Sequence, residues 1–195
     1  MGPEFNYLIG VIPTGKIVNI LKLFREILPM NPVYIATYQD YVIRPWQPFD
    51  RDGIANIISS VLAEYNLNWE PERADQDVLD IETYYSQTGG EFWVIEKQGK
   101  LVGSGAYYPI HRGNNAVEIR KMYFLPEARG QGLGKFLLFQ LENAIASRGF
   151  QEIWIETASV LETAVKLYEK YGYQTGTDVE NLRCDRVYYK RFSQA

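Results

Sequence analysis

Arg129-Gly130-Gln131-Gly132-Leu133-Gly134 alternates three glycines with larger residues, between an apolar strand-like run that ends at Pro126 and a long helical pattern from Leu133. Glycine lacks a Cβ, so such a loop turns tightly and brings its own N–H groups against a ligand. The helix that follows offers unpaired donors and a partial positive charge. Together these predict an anion site that suits a pyrophosphate, with Arg129 adding a charge-assisted contact; the alternative is an ordinary glycine-rich turn from strand to helix. Two other phosphate loops are excluded, because no Gly-Lys-Ser/Thr follows and the order of glycines is not the dinucleotide fingerprint.

Working outward, the run Ala116 to Leu125 reads as the strand before the loop and Leu133 to Arg148 as the helix after it. A buried-looking strand follows at Ile153 to Glu156, then a helix from about Leu161 to Tyr171, a glycine turn at Gly172, and strands near Tyr173 to Thr177 and Arg186 to Phe192. Upstream, Glu91 to Lys97 and Leu101 to Tyr108 make a hairpin through Gln98-Gly99-Lys100. Before it stand a strand at Tyr41 to Arg44, a helix from Phe49 to Tyr65 with Asp50 as its cap, a polar aromatic loop from Asn66 to Arg73, and a second helix from about Ala74 to Gln87. Residues 1–40 stand apart as an N-terminal extension, in which Ile17, Ile20, Leu21, Phe24, Ile27 and Leu28 give Thr14 to Leu28 an amphipathic helical spacing.

Composition bounds the function. A chain of 195 residues with 46% hydrophobic residues makes one domain with a real core, and a net charge of -4 argues against nucleic acid or an anionic membrane as partner. One cysteine, Cys184, forms no internal disulfide, and with one histidine, His111, there is no cluster for a metal. No secretory signal or membrane span is expected, and a reducing, cytoplasmic setting is the simplest. A homodimer is left open.

The loop fits the pattern Arg/Gln-x-x-Gly-x-Gly/Ala, and Ala164-Val165-Lys166-Leu167-Tyr168-Glu169-Lys170-Tyr171-Gly172-Tyr173 fits Ala-x-x-Leu-Tyr-x-x-x-Gly-Phe/Tyr. The two motifs, at this separation and in this order of elements, resemble the GNAT superfamily of N-acetyltransferases over residue 41 to the end. The resemblance implies an α/β (α+β) fold: a mixed, mostly antiparallel sheet of about six to seven strands with about four flanking helices. It also implies an acetyl-CoA-dependent acyltransferase that moves an acetyl group directly to a primary amine of a small molecule, amino acid or peptide N-terminus. Backbone groups of Met122, Tyr123 and Phe124 would pair with the pantetheine arm, and Arg129, Gly130, Gln131, Gly132, Leu133 and Gly134 would cradle the pyrophosphate.

Catalysis needs a base for the ammonium proton and an acid for the leaving thiolate. The resemblance points to Glu118, eleven positions before Arg129, as base and to Tyr168 as acid. Val117 and Ile119 beside Glu118 predict a raised pKa in a partly dry site; the alternative is a strand glutamate paired with Arg120 or Lys121. Tyr168 has its own alternative, a core stripe with Val165, Leu167 and Tyr171. Strand alternation puts Glu118, Arg120 and Met122 on one face. Arg120 on that face would meet a substrate carboxylate. By resemblance, the acceptor enters between the loop carrying Trp69, Glu70 and Arg73 and the turn carrying Asp178, Glu180 and Arg183. The family's asparagine before the Leu-Tyr motif is replaced by Leu161, with Thr157 and Ser159 as nearby substitutes. A CoA-binding sensor or interaction module without turnover is the competing reading.

Overall fold

A computed structural model describes residues 36–192, and the helix expected over Thr14 to Leu28 lies outside them. Eight strands form one sheet: β1 (Ala36–Tyr38), β2 (Tyr41–Pro45), β3 (Glu91–Lys97), β4 (Lys100–Ile110), β5 (Ala116–Phe124), β6 (Glu152–Thr157), β7 (Gln174–Thr175) and β8 (Arg186–Arg191). Their order is β1-β2-β3-β4-β5-β6-β8-β7, and of the neighbouring pairs only β5 beside β6 is parallel. The mixed, mostly antiparallel sheet is the expected one with an additional strand. That strand, β1, uses residues the sequence reading had given to the extension, and pairs with β2 from Ala36↔Ile43 to Tyr38↔Tyr41.

Strand alternation builds a core on each face. On β3, Phe92 and Val94 pack with Ile54, Ile58 and Leu62 of α1 (Arg51–Glu64) and with Val78, next to Asp77 on the short α2 (Gln76–Leu79). Trp93 and Ile95, one residue along, belong to the other core, with Leu137, Leu141 and Ile145 of α3 (Leu133–Ser147) and Tyr168 of α4 (Glu162–Lys170). Each fully buried large apolar side chain contributes about 1.5–3 kcal/mol. That packing holds α1, because Asp50 makes no side-chain cap to it. The Asp50 carboxylate accepts instead from the Arg44 guanidinium at 2.7 and 2.9 Å and from the Gln47 N–H at 2.7 Å.

The helix expected over Ala74 to Gln87 is interrupted. After α2 the backbone leaves helical geometry at Asp80 and resumes as a π-helical turn, Glu82–Ser86. Asp80 Oδ1 accepts the Thr83 N–H at 3.3 Å, a local side-chain bond that competes with the backbone ladder. The widened turn still buries Ile81 and Tyr85, and it brings the Tyr85 hydroxyl to Asp77 Oδ2 at 2.5 Å.

Candidate active site

β5 and β6 part company early. They pair only through Ala116↔Glu152, Val117↔Ile153 and Glu118↔Trp154, after which β6 continues beside β8 alone. Residues 119–124 of β5 therefore face a wedge without a ladder partner on that side, and buried backbone groups left in this way call for another partner. A small cavity of about 40 Å³ occupies the wedge, lined among others by Ile119, Met122, Tyr123, Thr157 and Tyr168.

A bulge shapes the β5 edge. Ser104 stands opposite Tyr123 and Ala106 opposite Arg120, so Gly105 of β4 faces two residues of β5, Lys121 and Met122. Lys121 takes a left-handed φ of 56°, and the Ser104 hydroxyl donates to its carbonyl at 2.7 Å. The extra residue reverses the alternation beyond Arg120, which corrects one expectation. Glu118, Arg120, Lys121 and Tyr123 line one cavity, while Met122 packs against the α3 core on the opposite face.

At the end of the wedge the glycine loop enters α3. Gly130 and Gly132 have φ of 75° and 85°, and no side chain caps the first turn of the helix. Uncapped N–H groups at the start of a four-turn helix favour an anion. A Cβ on Gly132 would lie 2.6 Å from the Tyr38 hydroxyl, which donates to Gln131 O at 2.9 Å. Since a left-handed non-glycine residue costs roughly 1–2 kcal/mol, Gly132→Ala is expected to lower Tm by about 2–8 °C in a thermal melt; an unchanged Tm would mean that the loop re-forms without strain. Arg129 has partners within the chain. Its Nε donates to Phe124 O at 2.7 Å and its Nη atoms reach the Glu64 carboxylate of α1 at 2.6 and 3.1 Å.

Glu118 stands at the point where the strands separate. Its side chain is 16% exposed, Oε2 accepts from the Tyr108 hydroxyl at 3.0 Å, and Oε1 lies 3.6 Å from Arg120 Nε. Burial raises its pKa above the ordinary glutamate value, against the opposing pull of Arg120 and Tyr108. The carboxylate opens on a cleft of about 290 Å³ that also carries Glu70, Arg73, Arg120, Glu156 and Glu180. The two loops expected to flank the acceptor thus do meet here. Trp69 does not join them, packing instead against the α1 core, and Arg183 lines the neighbouring cavity of about 50 Å³ with Cys184.

Sequence reasoning missed several residues of this region. Tyr108 holds Glu118, and Glu156 accepts from the Glu180 and Asn181 N–H groups, each at 2.8 Å, fixing the loop between β7 and β8. Asp75, fully buried, binds Arg183 through both Nη atoms at 2.6 and 2.9 Å and Lys121 Nζ at 2.6 Å. Such partners lie far apart in the chain and leave no local pattern. Leu161 lines the wedge, and beside it Thr157 does the same; Ser159 is bound to Asp185 through its N–H and hydroxyl. Tyr168 lines the wedge as well, and burial raises its pKa.

The profile of the Acetyltransferase (GNAT) family matches residues 58–173. The chain belongs to the GNAT acetyltransferase family. The uncharacterized N-acetyltransferase YjgM of Escherichia coli K12 is 35% identical over 139 residues, 70% of this chain and 83% of that protein. The N-acetylaspartate synthetase of Xenopus tropicalis is 37% identical over 102 residues, 50% of this chain but 36% of that protein. In fold, a GNAT-family acetyltransferase of Staphylococcus aureus Mu50 superposes with a TM-score of 0.71 at 22% identity, over 77% of this chain and 98% of that one. The structure of yncA from Salmonella typhimurium, which contains acetyl-CoA, gives 0.65 at 16% identity over 80% and 96%.

The residues present suit the cosubstrate of GNAT enzymes. The uncapped start of α3 offers donors for a pyrophosphate, and the unpaired edge at residues 119–124 offers amide groups for an extended arm. Among the described residues, no group of His, Cys, Asp or Glu could hold a metal ion and no helix is long and apolar enough to cross a membrane.

Proposed function

We propose that this enzyme acetylates the primary amine of a small molecule, an amino acid or a peptide N-terminus, by direct attack on acetyl-CoA, with Glu118 as base and Tyr168 as acid. The observation that carries this reading is the placement of Glu118, a nearly buried carboxylate opening on the cleft where β5 and β6 separate. Bound acetyl-CoA supplies a thioester carbonyl. The chain supplies the rest: the α3 N–H groups hold the pyrophosphate, the β5 edge at Met122 to Phe124 orients the arm, and Glu118 takes the ammonium proton. A phenol keeps its proton at neutral pH and burial of Tyr168 disfavours the phenolate further, so the proton is in place for the leaving sulfur. Cys184 supports direct transfer, since burial pushes its thiol up to about 12 and leaves it a poor nucleophile.

The acceptor reading narrows at Arg120. Its contacts are all long, at 3.4 Å to Tyr108 Oη and Asp77 Oδ2, 3.5 Å to Ala74 O and 3.6 Å to Glu118. A guanidinium so loosely held can accept a substrate carboxylate bidentately. The relative named N-acetylaspartate synthetase supports an amino-acid acceptor. Arg120→Ala is expected to lower kcat/KM for α-amino acids at least tenfold more than for amines without a carboxylate, as losing a charged hydrogen bond requires. Equal losses on both would remove the carboxylate from the reading. The founding test is acetyl-CoA binding by calorimetry followed by thiol release against amino acids, polyamines and peptide N-termini. Binding with no turnover on any amine would favour the CoA sensor.

A further inference from the structure

Behind Glu118 lies a second carboxylate with no part in the mechanism above. Asp77 of α2 is 4% exposed, and its Oδ2 receives the Tyr85 hydroxyl at 2.5 Å while lying 3.4 Å from Arg120 Nη1. Its Oδ1 faces Lys121 Nζ at 3.0 Å. Arg120 is therefore suspended between two acids, Asp77 at 3.4 Å and Glu118 at 3.6 Å, and closes on neither. An arginine free to choose forms a short, bidentate pair with a carboxylate, as Arg183 does with Asp75.

We propose that Asp77, steadied by Tyr85, is a positioning residue that holds the Arg120 guanidinium back from Glu118 and so keeps the Glu118 carboxylate open to the acceptor. A bidentate pair would occupy both Glu118 oxygens and stabilise the ionised form, leaving a weaker base. The shared guanidinium avoids this while still neutralising the buried acids. The inference rests on Glu118 being the base.

The remaining groups around Glu118 bear on the sign. Tyr108 of β4 donates to it, and Arg120 on its own strand attracts the ionised form. Glu156 of β6 and Asp77 of α2 oppose ionisation. Lys121 and Tyr123 of its own strand share one cavity with it, as do Arg183 and Cys184 from the acceptor side, and Glu70, Arg73 and Glu180 line the cleft. Asp77→Asn removes the competing charge, frees Arg120 to close on Glu118 and lowers the Glu118 pKa. Tyr85→Phe leaves every charge in place but strips a hydrogen bond from Asp77 Oδ2, which then draws Arg120 closer and raises the Glu118 pKa.

The test reads Glu118 directly, by carbon-13 NMR titration of its carboxyl in the full-length protein, assigned through Glu118→Gln. Opposite shifts of about 0.5–1 pH unit are expected for the two variants, with the acid limb of kcat/KM moving the same way. Removing the Asp77 charge lowers the Glu118 pKa by itself, so the upward shift in Tyr85→Phe is the deciding one: if it is absent, or if both titrations move in one direction, Asp77 does not position Arg120. If the titrations shift oppositely while the kcat/KM limb stays fixed, the positioning stands and the assignment of Glu118 as base fails. Should Asp77→Asn not fold, the upward shift in Tyr85→Phe alone decides the matter, since a purely packing role for its hydroxyl would not raise the Glu118 pKa.

Discussion

Glu118→Gln is expected to lower kcat by about 10²- to 10⁴-fold, the range for loss of a positioned acid–base group. Glutamine keeps the shape and can still accept the Tyr108 hydroxyl bond, so the loss isolates the proton-accepting function. The affinity for acetyl-CoA, measured by calorimetry, is expected to stay within about twofold because Glu118 lines the cleft of about 290 Å³ and not the wedge along residues 119–124. The pH dependence has a defined sign. A base works only when ionised, so kcat/KM falls as pH falls through the Glu118 pKa, and burial sets that limb above the ordinary glutamate value. A variant with kcat within threefold of the parent would transfer the base role to another group or to water.

Asp75→Ala is expected to be the most destabilising single change in the site. The carboxylate is fully buried, holds Arg183 and Lys121, and also accepts the Glu70 N–H at 2.9 Å. Alanine leaves two largely buried cations short of a partner, and breaking a buried pair in this way costs about 3–5 kcal/mol. For a chain of this size that corresponds to a fall in Tm on the order of 10 °C in a thermal melt. Burial by itself would raise the Asp75 pKa, but Arg183 and Lys121 prevail and hold it at about 2. Its stabilising contribution is therefore present above the unfolded value near 4 and is lost as pH falls toward about 2. The Tm gap between parent and variant should accordingly narrow between about pH 4 and 2. A gap below about 2 °C at neutral pH would mean that water or rearranged side chains replace the carboxylate.

Local pattern and local chemistry were what the sequence made legible. Glycines at 130 and 132 announce a backbone that only glycine adopts freely, and the apolar spacing of α3 follows them, so the loop and helix could be read together. The Gln98-Gly99 turn likewise placed the hairpin, whose register runs to Lys97↔Lys100. The bulge had no such signal. It falls on Lys121, a residue type that avoids left-handed φ, and it is held by Ser104 of the neighbouring strand. Nothing in the chain around Arg129 signals that Glu64, 65 positions earlier, binds its guanidinium. Asp75 and Arg183 are 108 positions apart, and nothing in either neighbourhood foretells the pairing.

The three-pair seam between β5 and β6 gives this fold the construction of a book with a short spine. β1 to β5 form one cover and β6 to β8 the other, and beyond Glu118 and Trp154 the page edges are free. Covers joined so briefly need a clasp on the open side. Arg183, carried between β7 and β8, reaches across to Asp75 at the start of α2 and supplies one. The opening is thus bounded at one end by the last backbone pair and spanned at the other by one arginine, which also donates to Asn68 O at 2.9 Å.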